Sequence, residues 1–292
     1  MQFGEILALG AALVWSVAVI LIRMSGLLIA PLPLTFFKSA VATLLFILTL
    51  PFVDAPVLPD LSNLEWWRLL ISSILGISIA DTMVVAALKK LGASLHAIAD
   101  CLYAPSMAVV GYFLLKQSLS AWECLGGLCV VAGVAVGMRL TEEVRDYRSL
   151  IYGVLLAGGA HVIMAIGILM VQDIYAEHSV VWVSGFRFLI ATIALWFYAQ
   201  VRGLGSSVME GFRRKDLWKW TIPMSFLGPY LATMLWASGF VYLKAGRAAV
   251  YNQMSTAFVL ILAWLVLKEN LTTRKLVGIS LAILGSIIVG TH

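Results

Sequence analysis

The chain has 292 residues, 62% of them hydrophobic and only 12% charged, with a net charge of +5 and a mean hydropathy of +0.98. An average soluble domain carries roughly 25% charged residues, so this composition excludes a soluble enzyme, a secreted disulfide scaffold and a disordered chain. A hydrocarbon core of ~30 Å takes about 20 helical residues, and ten such spans would use about 200, which leaves short loops and predicts an all-α, polytopic integral membrane protein.

The apolar runs and their breakers predict spans near 5–24, 33–51, 66–88, 94–115, 119–138, 149–171, 179–201, 217–243, 245–267 and 271–291. No basic stretch precedes the first run, so it is expected to remain as a helix rather than be cleaved. That run carries Trp15, a candidate aromatic wall for a cavity. Pro31, Pro33 and Pro51 bracket the second run, and Lys38 lies early within it. The third carries Gly76 and Asp81, and the fourth Asp100, Tyr103 and Pro105. The fifth is spaced by Gly126, Gly133 and Gly137, a pattern that lets helices approach closely. The charge-dense stretch from Arg139 to Arg148 then divides the chain into halves, 1–138 and 149–292.

In the second half, His161 falls near the middle of the sixth run and Arg187 early in the seventh. The eighth carries Pro223, Gly228, Pro229, Tyr230 and Trp236, and the ninth the polar run Tyr251, Asn252 and Gln253. Prolines and the paired glycines mark bends. Trp66, Trp67, Trp218 and Trp220 sit at run ends and read as interfacial belt residues. Cys101, Cys124 and Cys129 lack metal-ligand spacing and read as small apolar packers. No motif indicates a nucleophile, a metal site or a phosphate cradle, so neither an enzyme nor a cofactor is expected.

An ionisable residue at membrane depth costs roughly 2.5–3.5 kcal/mol on insertion scales, so each requires a reason. Asp81 and Asp100 lie on either side of one hairpin and are expected at similar depth, as proton-exchanging or substrate-binding carboxylates. The alternative is two buried acids satisfied by neighbouring polar groups. Lys38 and Arg187 are expected either to hold a substrate carboxylate, to pair with an intramembrane Asp, or to snorkel to the headgroups. Lys38, Asp81 and Asp100 are the candidates for coupling. Trp15, Tyr103, His161, Arg187, Tyr230, Trp236, Tyr251, Asn252 and Gln253 are the candidates for substrate binding. Glu269, Lys116 and Lys268 lie in turns and read as caps or anchors.

The halves repeat each other. At an offset of 149, Gly4, Ala8, Gly10, Phe37 and Thr43 match Gly153, Ala157, Gly159, Phe186 and Thr192, and Lys38 falls on Arg187. At an offset of 152, Gly76, Leu91, Ala93, Ala97, Lys116, Gly126 and Gly133 match Gly228, Leu243, Ala245, Ala249, Lys268, Gly278 and Gly285. Five spans per copy invert the second copy in the membrane, an arrangement in which a substrate site lies near the midplane at the repeat interface.

Each copy ends in a polar turn before glycine-spaced residues: Leu114-Leu115-Lys116-Gln117-Ser118-Leu119-Ser120 in the first and Val266-Leu267-Lys268-Glu269-Asn270-Leu271-Thr272 in the second. With Ala87-Leu88-Lys89-Lys90-Leu91-Gly92-Ala93-Ser94 and Pro105, the chain resembles EamA-type transporters of the drug/metabolite superfamily over essentially its whole length. That resemblance implies a ten-helix transporter of small molecules with two inverted five-helix repeats, and Gln117 departs from the usual Glu. The reading favoured is a proton-coupled or gradient-driven exporter of small metabolites or amino acids in the inner or plasma membrane. The rivals are an uptake carrier or facilitator and, in another class, a membrane receptor or enzyme. The expected partners are a small-molecule substrate, the lipid bilayer and protons, without nucleic acid, and no segment specifies an oligomeric state.

Counting Lys and Arg on alternate sides gives fourteen against four. The basic side is assigned to the cytoplasm, which puts both termini outside, whereas the resemblance implies both inside.

Overall fold

A segment crossing hydrocarbon finds no water for its N–H and C=O groups, so its backbone must bond to itself along the segment. In the computed structural model of the chain, every regular element among the described residues is helical. The described residues are 3–291 except 54, 55, 57, 117, 142, 143, 145, 243 and 244, and the side chains of 3 and 239–252 also fall outside the description. Gln117 and the side chains of Tyr251 and Asn252 therefore lie outside the described residues.

Helix α1 covers Phe3–Leu28, α2 Pro31–Thr49, α3 Asn63–Leu91, α4 Ala93–Leu115 and α5 Ala121–Gly137. After the charged stretch come α6, Tyr147–Leu169, α7, Val180–Val201, α8, residues 218–242, α9, Ala245–Leu267, and α10, Thr273–Thr291. Each apolar run read from the sequence falls on one of these helices. Helices α1–α4, α6, α7 and α10 are each long and apolar enough to cross a membrane, while α5 and Gln253–Leu267 are shorter apolar helices. Large side chains such as Leu48, Phe113, Leu128, Leu155 and Phe197 point outward, and hydroxyls and charges such as Ser16, Lys38, Ser72 and Thr221 are buried. That arrangement suits a lipid solvent.

Two helices loosen at equivalent places. Helix α3 widens into a π turn at Ile74–Ile79 and α8 at Phe226–Ala232, around Gly76 and Gly228. In α8, Pro229 supplies the cause, because it cannot donate to the helical ladder. In α3, the backbone of α6 approaches: a Cβ on Gly167 would lie 3.0 Å from Gly76 Cα. The turns that end α4 and α9 also match, with Lys116 at φ 53° and Lys268 at φ 59°. A left-handed non-glycine residue costs about 1–2 kcal/mol, so both lysines are held there by the turn.

Helices α5 and α10 pack closely. Gly126 faces Gly285 and Val289, and Gly133 faces Gly278 and Ala282, with an added Cβ on Gly133 falling 2.6 Å from backbone atoms of both. Small residues at this spacing let two helices meet without intervening side chains. At the centre, Thr43 and Thr192 on α2 and α7 approach to 3.4 Å. Trp66, partly exposed near the start of α3, packs edge-on against Trp182 and Phe186, at 5.9 and 5.3 Å.

Gly133→Val is therefore expected to force α5 and α10 apart and lose ~1–3 kcal/mol, whereas Gly127→Ala, whose Cβ would meet Pro105 at an ordinary 3.6 Å, is tolerated. Apparent melting temperatures in detergent compare the two. A fall of several degrees for the first and little change for the second is the expected pattern.

Candidate functional site

A cavity of about 220 Å³ lies among α1, α2, α3, α4, α6, α7, α8 and α9. Its walls are mainly apolar, with Trp15, Ile77, Val84, Met164, Phe188 and Trp236. Into it the fold brings Lys38, Asp81, Asp100, His161 and Arg187, with Tyr103, Tyr175, Gln253, Ser255 and Thr256 as neutral polar groups. The two acids expected at similar depth thus border one space.

Lys38 donates through Nζ to Asp81 Oδ2, and both residues are buried. Of the alternatives open to Lys38, the structure selects pairing with an intramembrane acid over snorkelling. Neither charge could stay at this depth alone, because the cost of dehydrating each is offset only by the other.

Asp100 owes its position to how α4 is built. The helix begins after Gly92, at φ 79°, and the buried carboxylate of Glu269 accepts from the N–H groups of Ala93 and Ser94, both at 2.8 Å. Lys275 Nζ donates to Ser94 Oγ and to the Asn270 carbonyl, both at 2.8 Å. Glu269 is thus a helix cap, as its place in a turn suggested. The helix then tightens at Cys101 and Leu102 and resumes at Tyr103. Pro105 has no N–H for the Cys101 carbonyl one turn back, and Ser286 Oγ from α10 donates to that carbonyl instead, at 3.3 Å. Asp100 sits at this break.

Two imidazoles face Asp100. His161 Nε2 lies 3.1 Å and His96 Nε2 3.3 Å from Oδ1, while both Nδ1 atoms are buried without a partner. The Tyr103 ring meets His161 edge-on at 5.8 Å. One carboxylate and two imidazoles form a node that can accept or release a proton while keeping its internal bonds. His161 is therefore not a lone histidine. His96 was missed, although its i, i+4 spacing to Asp100 on one helix was a usable signal.

Arg187 is held by neutral groups. Nη1 donates to Tyr175 Oη at 3.2 Å, Nη2 lies 3.5 Å from the Ser72 carbonyl, and the Tyr175 ring lies 5.8 Å from the guanidinium. Tyr175 belongs to the short helix Gln172–Glu177, which Arg68 pins through Asp173 and the Met170 carbonyl. Burial alone would raise the Asp173 pKa, but the Arg68 hydrogen bond and charge bring it below the usual value. Tyr230 lies off the cavity lining: its hydroxyl bonds Thr49 Oγ1 at 2.6 Å and its ring packs on Phe46 at 5.0 Å.

Asp81→Asn is expected to cost ~3–5 kcal/mol by leaving Lys38 buried without its counter-charge, and adding Lys38→Met should restore most of that. Thermal unfolding of the single and double variants in detergent measures the difference, and equal losses would mean that the pair is not coupled.

The EamA-like transporter family model matches the chain twice, over residues 2–138 and 151–291. A solved structure described as "Crystal structure of protein" shares the fold, with a TM-score of 0.67 at 18% identity over 98% of this chain and 95% of that one. No curated protein matches the sequence. With both matches together spanning nearly its whole length, the chain belongs to the EamA-like transporter family and is a multi-pass membrane transporter of the drug/metabolite type, not an enzyme.

Proposed function

We propose that the chain is a secondary transporter with ten transmembrane helices, built as inverted five-helix repeats over 1–138 and 149–292 and joined by the 139–148 linker. Reciprocal contacts support the inversion. Gly126 meets Gly285 while Gly133 meets Gly278, and Gly76 meets Gly167 while Gly228 meets Ala18. Exchanging each residue for its repeat-mate turns one contact of each pair into the other, as a two-fold axis in the membrane plane requires. The Thr43 and Thr192 pair, repeat-mates in contact, would lie on that axis.

The transported species is a small metabolite or amino acid, exported across the inner or plasma membrane by a proton or substrate gradient. The observation that carries this reading is the cavity between the halves, where Lys38–Asp81 and Asp100–His161 border one apolar-walled space. Trp15, Tyr103, His161, Arg187, Trp236 and Gln253 would contact substrate there, with Tyr251 and Asn252 nearby in sequence. Lys38, Asp81 and Asp100 would couple its movement to protons. The basic loop at 202–219 would face the cytoplasm, with both termini outside.

Proteoliposomes with an imposed pH gradient test the coupling. Asp100→Asn should remove most of the gradient's effect on transport, since Asn cannot release a proton to His96 or His161. If transport by Asp100→Asn, Asp81→Asn and the double variant all follow the gradient as in the parent protein, these carboxylates are structural only.

Orientation is tested separately by labelling Ser206→Cys, an exposed position, in a background without native cysteines. An impermeant thiol reagent should label it poorly in intact cells and well after permeabilisation, and strong labelling in intact cells reverses the topology.

A further inference from the structure

The charged groups at the cavity are not equally satisfied. Lys38 is neutralised by Asp81, and Asp100 is flanked by two imidazoles. Arg187 is buried to 7% exposure, yet its bonded donors go to a phenol and a backbone carbonyl, and Nε has no hydrogen-bond partner. The ion pairs among the described residues all bypass it.

The repeat explains why. Lys38 and Arg187 are equivalent at the 149 offset, but the position equivalent to Asp81 at the 152 offset is Thr233, which also borders the cavity and carries no charge. One copy therefore has a cation with its acid, and the other the cation alone. A guanidinium costs several kcal/mol to bury without an opposite charge, yet the fold makes room for this one. A Cβ at Gly76 would come within 3.0 Å of Nη2, and the π turn around Gly76 follows the Ser72 carbonyl that holds that nitrogen.

We infer that the ligand of this cavity is a small organic anion whose carboxylate supplies the counter-charge that Arg187 lacks. The inference rests on the transporter reading for the ligand to be cargo. Arginine presents a planar fork that matches a carboxylate. Lys38 is unsuited to the task, because its ammonium is already engaged by Asp81. Trp15, Phe188 and Trp236 would receive an apolar or aromatic body. The cavity is smaller than the ~300–1,000 Å³ of drug-sized sites, which limits that body to a short chain or a single ring.

The test uses the purified full-length protein in nanodiscs with hexanoate, benzoate and 3-phenylpropionate, their neutral amides, the corresponding amines, and phenyl phosphate. Binding is followed by intrinsic tryptophan fluorescence and by thermal shift. At least one carboxylate should bind at millimolar concentrations or better while its amide and amine do not. Arg187→Gln should weaken that binding at least tenfold, as expected for losing a hydrogen bond to a charged group. Arg187→Lys, which keeps the charge but not the fork, should fall between. Unliganded Arg187→Gln exchanges an unpaired buried cation for the loss of its bonds to Tyr175 and Ser72, so a melting temperature within a few degrees of the parent protein separates its loss of binding from misfolding. Equal binding of acid and amide, preference for phenyl phosphate, failure of every carboxylate to bind, or unchanged binding by Arg187→Gln each overturns the inference. Counterflow in proteoliposomes separates the two readings. Arg187-dependent binding without counterflow overturns transport and leaves the anion site, whereas counterflow of amines alone leaves transport and overturns the anion site.

Discussion

Hydrocarbon offers neither a hydrogen bond nor a counter-charge, and the rest of this structure follows from that lack. Every polar group placed among the helices must find its partner within the protein. The backbone does so by coiling. The first N–H groups of α4 use the Glu269 carboxylate, and the Cys101 carbonyl orphaned by Pro105 uses the Ser286 hydroxyl. Lys38 uses Asp81. Among the described residues six buried side-chain atoms lack a partner: the hydroxyls of Ser25, Thr35 and Ser39, and, at or beside the cavity, two imidazole nitrogens and one guanidinium nitrogen. Of these only the last three belong to groups that carry or can take up a charge.

The same chain uses two kinds of helix contact for different ends. Along α5 and α10 the glycines bring backbones into direct touch, with the side chains of Cys129, Ala282 and Val289 packed against them. Beside the cavity, α3 and α8 instead carry π turns, whose wider ladder is less tightly bonded than an α-helix. The close seam and the loosened turns lie in matching places in both halves. What differs between the halves is side-chain chemistry: Asp81 against Thr233 at equivalent positions on the cavity, and a histidine at 96 where the second half has Ala248.

Much of this was legible in the residues. Lipid enforces long apolar runs, so the helices could be read directly, and a charge inside such a run announces an interior position. Asp81, Asp100, Lys38 and Arg187 were found in that way. Sequence could not decide which basic residue takes which acid, because that depends on how α2, α3 and α7 are rotated against one another. That Tyr230 lies beside the cavity rather than on its lining could not be read for a related reason. It lies inside a π turn, where the extra residue rotates the following positions by roughly 100° from regular helical register. Tyr175 gave no signal, since a six-residue helix between two spans has no periodicity to read.

Helix α4 is attached to the segment around α10 at two heights. Glu269 and Lys275 hold its first turn, and Ser286 holds the carbonyl beside Asp100. The segment from Ala93 to Cys101 is therefore clamped like a beam at both ends, with its acid at one support and His96 midway along. Any tilt of α10 would carry that beam with it and draw Asp100 relative to His161, which belongs to a different helix, α6. The carboxylate-to-imidazole distance would then serve as a strain gauge for the relative motion of the two helices.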